Sequence, residues 1–494
     1  MVQPVMCHAT IVAQAASLSS DCKGQEKQLT VATSRLTETC TVTTCDTADN
    51  LDSVSVAESY HGQTGAKEAS TSSSAGRPHF AKAATLLSAV TLSKAAIGSG
   101  TLELSTNCAQ VGMASFFCGL MAAVVLTMLS SRLIVKVSIA TGCWSFEDIS
   151  DELLHPAMSH VTGFINFIAC LGGGVGSIII SGQVFQVITN SSDATRRDFA
   201  IMLGTFICAP LALAKEVSCL RHLAACSHAA LVLLIAVVVW LMLQNGLDES
   251  IEPEALMWGD GEVSIFSYMN AMSTIVFSFS VQSNLPQITG ELTPEPTTGK
   301  MMEVCFISTM ICFLVYASVT VVAILAFGVE RDTGGSLVMD LGPAGGQWQV
   351  RLALVGILLG CIVSFQFTIY PMRQYCAYVV RRLRGRSAND EAADAIYCGR
   401  SLTRWLDLLS ALLSVGLCIL VAVAIPSLHV VLAFVGSFCD AYICYIVPPV
   451  WMLRLLRRQQ GFTWCGTEVL ACLALFTFGI VQLVFGTLSV FEDR

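Results

Sequence analysis

Three ionisable side chains, Lys94, Glu103 and Asp440, lie within otherwise apolar stretches of the chain. A charge in hydrocarbon is costly, so such residues mark ion paths, proton relays or counter-ions. Lys94 and Glu103 flank Gly98-Ser99-Gly100, which interrupts one hydrophobic segment, and a second segment is interrupted from Ser278 to Pro286. In lipid a helix gives up backbone hydrogen bonds only where the freed groups line a protein cavity or receive a ligand. Half-helix N-termini offer N–H groups and a positive dipole end to a carboxylate. Carbonyls at the other half-helix ends suit an ammonium or a metal cation. Together the breaks describe a site for a zwitterion, bordered by Ile97, Gly98, Ser99, Gly100 and Thr101 at the first and by Phe277, Ser278, Phe279, Ser280 and Val281 at the second. The plainer alternative is that Gly98 and Gly100 serve close helix packing, as is expected of Gly172 and Gly176.

The elements that must carry these residues are membrane helices. Of 494 residues 54% are hydrophobic and 13% charged, and mean hydropathy is +0.67; soluble domains average about 25% charged. Residues 1–80 are rich in Ser and Thr and cannot bury a core, so a disordered tail is expected there, with a transmembrane domain over 81–490. Eleven stretches are long enough to cross a bilayer: roughly 82–109, 112–136, 160–189, 199–215, 222–244, 264–289, 302–328, 350–379, 403–424, 429–452 and 467–490. The N-terminus lacks the pattern of a cleaved signal peptide. The 21 cysteines show no zinc or redox spacing and read as small core residues. The net charge of -9 comes mostly from the tail and loops and gives no support to nucleic-acid binding.

Loop charges orient the chain. Arg77, Lys82, Arg132, Lys136, Lys215, Arg221, Lys300, Arg381, Arg382, Arg384, Arg386, Arg454, Arg457 and Arg458 fall on one side. The other side holds only Arg196, Arg197, Arg331, Arg351 and Arg494, with the acidic loop of Asp248, Glu249, Glu252 and Glu254 and the sequon Asn190-Ser191-Ser192. The N-terminus is expected in the cytoplasm and the C-terminus outside it. Five crossings separate the starts of the two broken segments, which therefore run in opposite directions, the geometry of an inverted five-helix repeat.

Four motifs carry a resemblance. Leu92-Ser93-Lys94-Ala95-Ala96-Ile97-Gly98-Ser99-Gly100-Thr101-Leu102 is similar to the first-helix signature of the amino acid/auxin permease family, with its I-G-[ST]-G core. Trp144-Ser145-Phe146-Glu147-Asp148 follows the second segment, Leu285-Pro286-Gln287-Ile288-Thr289-Gly290-Glu291-Leu292 ends the sixth, and Pro371-Met372-Arg373 closes the eighth, each as in that family. The resemblance implies the fold of the amino acid-polyamine-organocation superfamily: all-α and polytopic, eleven transmembrane helices, a LeuT-like inverted 5+5 repeat plus one C-terminal helix. It also implies secondary active transport of amino acids, with no enzyme activity and no cofactor.

Against that background Lys94 resembles the lysine of the proton-assisted branch, where the sodium-coupled branch has an asparagine that helps hold sodium. A fixed ammonium four residues before Gly98 shares a helix face with the break and would make transport sodium-independent, either by filling a metal ion's place or by giving up its proton when buried, with protons as the expected coupling ion, as in a symporter; otherwise Lys94 snorkels or pairs structurally. Glu103 and Asp440 occupy positions that are usually small in the family. They carry protons, attract a cationic substrate side chain, or neutralise Lys94. Ser364 and Thr368 lie near the family's sodium ligands, although such hydroxyls more often bond their own backbone.

Other classes fit less well. An amino acid sensor or receptor with a transporter fold is the main alternative, and counterflow exchange separates the two. A membrane enzyme would want a His-rich or Ser-Lys cluster. A major-facilitator carrier would want twelve helices with a long linker after the sixth. Plasma membrane and a vacuolar or lysosomal membrane are both compatible with the sequence.

Overall fold

The structure is a computed structural model that describes residues 78–203, 207–208, 221–246, 253–258, 264–292, 296–328, 336–384, 400–425, 427–458 and 466–492. All belong to one compact unit, Ala75–Arg494. Of the disordered tail expected over 1–80, residues 1–77 lie outside the described residues and the last three open a helix; most of the segment expected at 199–215 and the charges Arg77, Lys215, Asp248, Glu249, Glu252, Arg331, Arg386 and Arg494 also lie outside them.

Among the described residues every regular element is helical. In chain order these are α1 (Pro78–Ala96), α2 (Gly100–Val111), α3 (Met113–Thr141), α4 (Phe146–Leu153), α5 (Pro156–Thr189), α6 (Asp193–Leu203), α7 (Arg221–Asn245) and α8 (Pro253–Trp258). Then follow α9 (Ile265–Ser278), α10 (Leu285–Gly290), α11 (Thr298–Phe327), α12 (Leu337–Asp340), α13 (Trp348–Leu383) and α14 (Arg400–Ala424). The last two are α15 (Leu428–Arg458) and α16 (Thr467–Glu492).

Among the described residues seven helices are long and apolar enough to cross a membrane: α3, α5, α7, α11, α13, α15 and α16. Two of the four other expected segments are interrupted. The first and sixth are broken into α1–α2 and α9–α10. The ninth is α14, with an apolar run over Leu408–Ala424 among the described residues, and the fourth segment is largely outside the described residues.

Local sequence explains several ends. Pro156 opens α5 beneath a cap from His155, whose Nδ1 accepts from the Ala157 N–H at 3.2 Å; a missing N–H costs nothing in a first helical turn. Pro286 does the same for α10. Gly142 ends α3 at φ 68°, a backbone region that favours glycine.

Among the described residues two large hydrophobic clusters hold the bundle. One gathers α1, α2, α3, α9, α11 and α15 around Phe116, Tyr316 and Trp451. The other joins α5, α7, α13, α14 and α15 around Val175, Phe365 and Leu432. Small residues let the backbones approach where the clusters meet. A Cβ on Gly172 would strike Val435, and one on Gly436 would strike the Ser273 carbonyl. The packing role expected of Gly172 is thus met by α15.

Candidate functional site

The first break spans Ile97–Ser99, between the end of α1 and the start of α2. Its freed carbonyl is not left open. Ile97 O accepts from Lys94 Nζ at 2.8 Å and from Ser364 Oγ of α13 at 3.1 Å. Lys94 itself is buried and faces a small second cavity with Ser227, Gly360 and Cys361. Gly100 does not line the central space: an added Cβ would meet Ser278 Oγ and would lie 3.1 Å from the Phe277 ring. Glycine there allows α2 to cross the end of α9. Gly98 is roomier, the nearest side-chain atom being Ser364 Oγ at 3.7 Å.

The second break follows the same logic. α9 ends at Ser278, Phe279 caps it, and a short 3-10 turn over Gln282–Asn284 leads into α10. The Ser278 carbonyl accepts the Tyr316 hydroxyl of α11 at 2.5 Å. Ser278 Oγ donates back to Thr274 O at 2.8 Å. Phe279 packs edge-on against the Tyr316 ring, centroids 5.1 Å apart.

Between the breaks lies a cavity of about 50 Å³, room for a few waters. Gly98 and Ser99 line it from the first break, Phe277 and Ser280 from the second, with Ser364, Thr368 and Asp440. These seven expected site residues share one space. The remaining ones do not reach it: Ile97, Thr101, Ser278, Phe279 and Val281 are buried in packing, Gly100 is covered by Phe277, and Lys94 and Glu103 face elsewhere. Thr368 bonds its own helix, Oγ1 donating to Phe365 O at 2.8 Å, whereas Ser364 reaches across to the break.

Glu103 and Asp440 have separate partners, and neither is paired with Lys94. Glu103 is 0% exposed. Its Oε1 lies 3.1 Å from His429 Nδ1 of α15, and His429 Nε2 lies 2.9 Å from Asn270 Nδ2 of α9. With Asn270 donating to Nε2, the imidazole proton sits on Nδ1 and is given to Glu103. Asp440 accepts the Ser280 hydroxyl at 2.9 Å through Oδ1. It lies within a π-helical stretch, Val435–Ile446.

At the end of the bundle around α4, basic and acidic residues interlock. Arg381 holds Asp148 at 3.2 Å, Arg382 pairs with Asp151, and Arg458 reaches Glu152 at 3.1 Å. Ser145 caps α4, accepting the Asp148 N–H at 3.1 Å. The neighbouring Glu147 is 1% exposed, and burial pushes its carboxyl up to about 7. Its Oε1 has no hydrogen-bond partner.

Several lining residues escaped the sequence reading: Ala95, Ala96, Ala169, Cys170, Gly173, Ser177, Ser283, Asn284 and Phe367. Ser283 donates to Asn166 of α5 at 2.7 Å, tying the second break to that helix. One signal was present, the run Gly172-Gly173-Gly174. A Cβ on Gly173 would press on Thr368, and one on Gly176 would strike Ser99. Part of this glycine pattern therefore makes room for the site. His429 carried no local mark.

Residues 81–492 match the family model described as transmembrane amino acid transporter protein. The chain is 24% identical over 392 residues to vacuolar amino acid transporter 5 of Schizosaccharomyces pombe, covering 75% of this chain and 84% of that one. It is 22% identical over 430 residues to amino acid transporter AVT6D of Arabidopsis thaliana, covering 83% and 92%. Among solved structures, a manganese transporter of Eremococcus coleocola in complex with an aromatic bis-isothiourea-substituted compound aligns with a TM-score of 0.49. It is 12% identical, covering 85% of this chain and 88% of the other.

Proposed function

The chain belongs to the transmembrane amino acid transporter family, and from that premise we propose that it is a secondary active amino acid transporter, working by alternating access around the cavity between its two broken helices. The observation that carries this reading is that residues from both breaks line one space. Backbone groups freed at such breaks replace the water that a zwitterion loses inside a membrane. The substrate carboxylate meets the start of α2 at Gly98 and Ser99.

The proposed architecture has eleven crossings in an inverted 5+5 repeat with one further helix, the N-terminus in the cytoplasm. The loop-charge pattern supports it. So does the sum of parts: seven uninterrupted helices, two broken ones, α14 and the apolar stretch of sequence at 199–215.

Transport is proposed to be independent of sodium. Lys94 already supplies a cation to the Ile97 carbonyl, and Ser364, which resembles a residue near the family's sodium ligands, donates to the same oxygen. Protons are the proposed coupling ion, held by Glu103 and His429. That pair touches α2, α15 and, through Asn270, α9, so gain or loss of a proton alters bonds across three elements that alternating access must separate. One relative is named a vacuolar transporter, and an acidic vacuolar lumen would supply such a gradient.

Uptake of radiolabelled amino acids into proteoliposomes tests the proposal. Saturable uptake driven by an imposed pH gradient with sodium absent is expected. Strict sodium dependence would overturn the coupling, and binding without flux or counterflow would overturn the carrier.

A further inference from the structure

Asp440 stands apart among the residues around the cavity. It is 1% exposed and lines the space, yet only one of its oxygens is engaged. Oδ1 takes the Ser280 hydroxyl; Oδ2 is buried with no hydrogen-bond partner. A buried carboxylate with an open oxygen calls for a cation, because desolvation is otherwise uncompensated. None of the lining residues is cationic. Lys94, the basic residue nearest in sequence to the break, spends its ammonium on Ile97 O and faces Cys361 and Cys312 rather than Asp440.

The surroundings fit a cationic guest better than a neutral one. Phe277 and Phe367 line the cavity with aromatic rings, a type of side chain that attracts guanidinium or ammonium groups, and Asn284 contributes a buried amide oxygen without a partner. Asp440 also sits in the π-helical stretch Val435–Ile446, and π turns occur frequently at functional sites. A zwitterion brings no net charge to the site. A lysine- or arginine-like amino acid brings one positive charge and leaves Asp440 matched.

Resting on the transporter reading of the cavity, we infer that Asp440 is the counter-ion for a cationic substrate side chain and that the site selects amino acids carrying one. Their carboxylate lies toward Gly98 and Ser99, and their distal cation reaches the free oxygen of Asp440. Ser280 acts as a positioning residue, fixing the carboxylate through Oδ1.

Ligand-induced thermal stabilisation of the purified full-length protein tests this without requiring flux, so its outcome is separable from that of the transport assay. Arginine and citrulline are the probes, being close in shape and different in charge. The native protein should bind arginine at least about tenfold more tightly than citrulline. Asp440→Asn should bring the two affinities within about twofold, mainly by weakening arginine. Equal affinities in the native protein would overturn the inference even if the variant does not fold. So would a variant that loses both ligands together or keeps the native preference.

Discussion

The ammonium of Lys94 lies 2.8 Å from the carbonyl oxygen of Ile97, the acceptor freed where α1 stops. The helix break and the charge beside it are therefore one unit: the break creates an acceptor, and the lysine three residues back fills it.

Replacing Lys94 with methionine should separate its two roles. Ser364 still donates to Ile97 O, so the carbonyl keeps one bond, and the expected loss is about 1–3 kcal/mol, that of a charged hydrogen bond. Thermal unfolding in detergent measures it. Uptake should fall further than stability, and sodium should not restore it, since the small cavity beside Lys94 offers few oxygen ligands. Rescue by sodium would show that a metal ion can take over the site.

The Glu103–His429 pair should govern the response to a pH gradient. Glu103→Gln keeps an acceptor for His429 Nδ1 but removes the titrating carboxyl. Gradient-driven uptake should drop at least about tenfold while counterflow exchange at symmetric pH persists. Loss of both activities together would assign the pair to structure, and unchanged driven uptake would remove it from coupling.

Gly98 and Gly100 should behave oppositely although they are two residues apart. A methyl at Gly98 finds its nearest side-chain neighbour at 3.7 Å, so Gly98→Ala should fold with stability near native. A methyl at Gly100 collides with Ser278 Oγ and presses the Phe277 ring, and Gly100→Ala should cost about 1–3 kcal/mol as overpacking does. Melting temperatures of the two variants, compared side by side, check the contrast.

Much of this site was legible because backbone interruption leaves a compositional trace. Gly98-Ser99-Gly100 marks the place where α1 stops and Pro286 the place where α10 begins, and Lys94 is close enough in sequence for its reach to the break to follow from helix geometry. The partners were not legible. Ser364 lies 267 residues from Ile97 and His429 lies 326 from Glu103, and such pairings are made by tertiary packing alone. The facing of side chains at the second break was also hidden. Once α9 stops, helical periodicity no longer says which way Ser278, Phe279 and Val281 turn, and all three went into packing. The neutralisation of Lys94 by an acid was open to a related uncertainty of facing, and Glu103 has its partner on α15 while Asp440 has its own at the second break.

Glu147 should make stability depend on pH. Its buried carboxyl titrates near 7 in the fold, against 4.5 as its ordinary value, because burial beside α5 and α13 disfavours the charge. The neighbours that face it are Ser145, Asp148, Arg381 and Tyr375, and a Cβ on Gly163 would lie 2.8 Å from its Cγ. Between those two pH values the folded protein holds a proton that the unfolded chain has released. Stability is then greatest below about pH 4.5 as far as this group is concerned, and it declines as pH rises through about 7. A shift of this size corresponds to roughly 3 kcal/mol at about 1.36 kcal/mol per unit. Glu147→Gln removes the titration while keeping size and an acceptor, so its unfolding curve should lie above the native one at pH 8 and converge with it near pH 5. Thermal melts across that range decide the matter, and a native protein whose melting temperature rises between pH 5 and 8 by the same amount as the variant's would show that Glu147 keeps its charge.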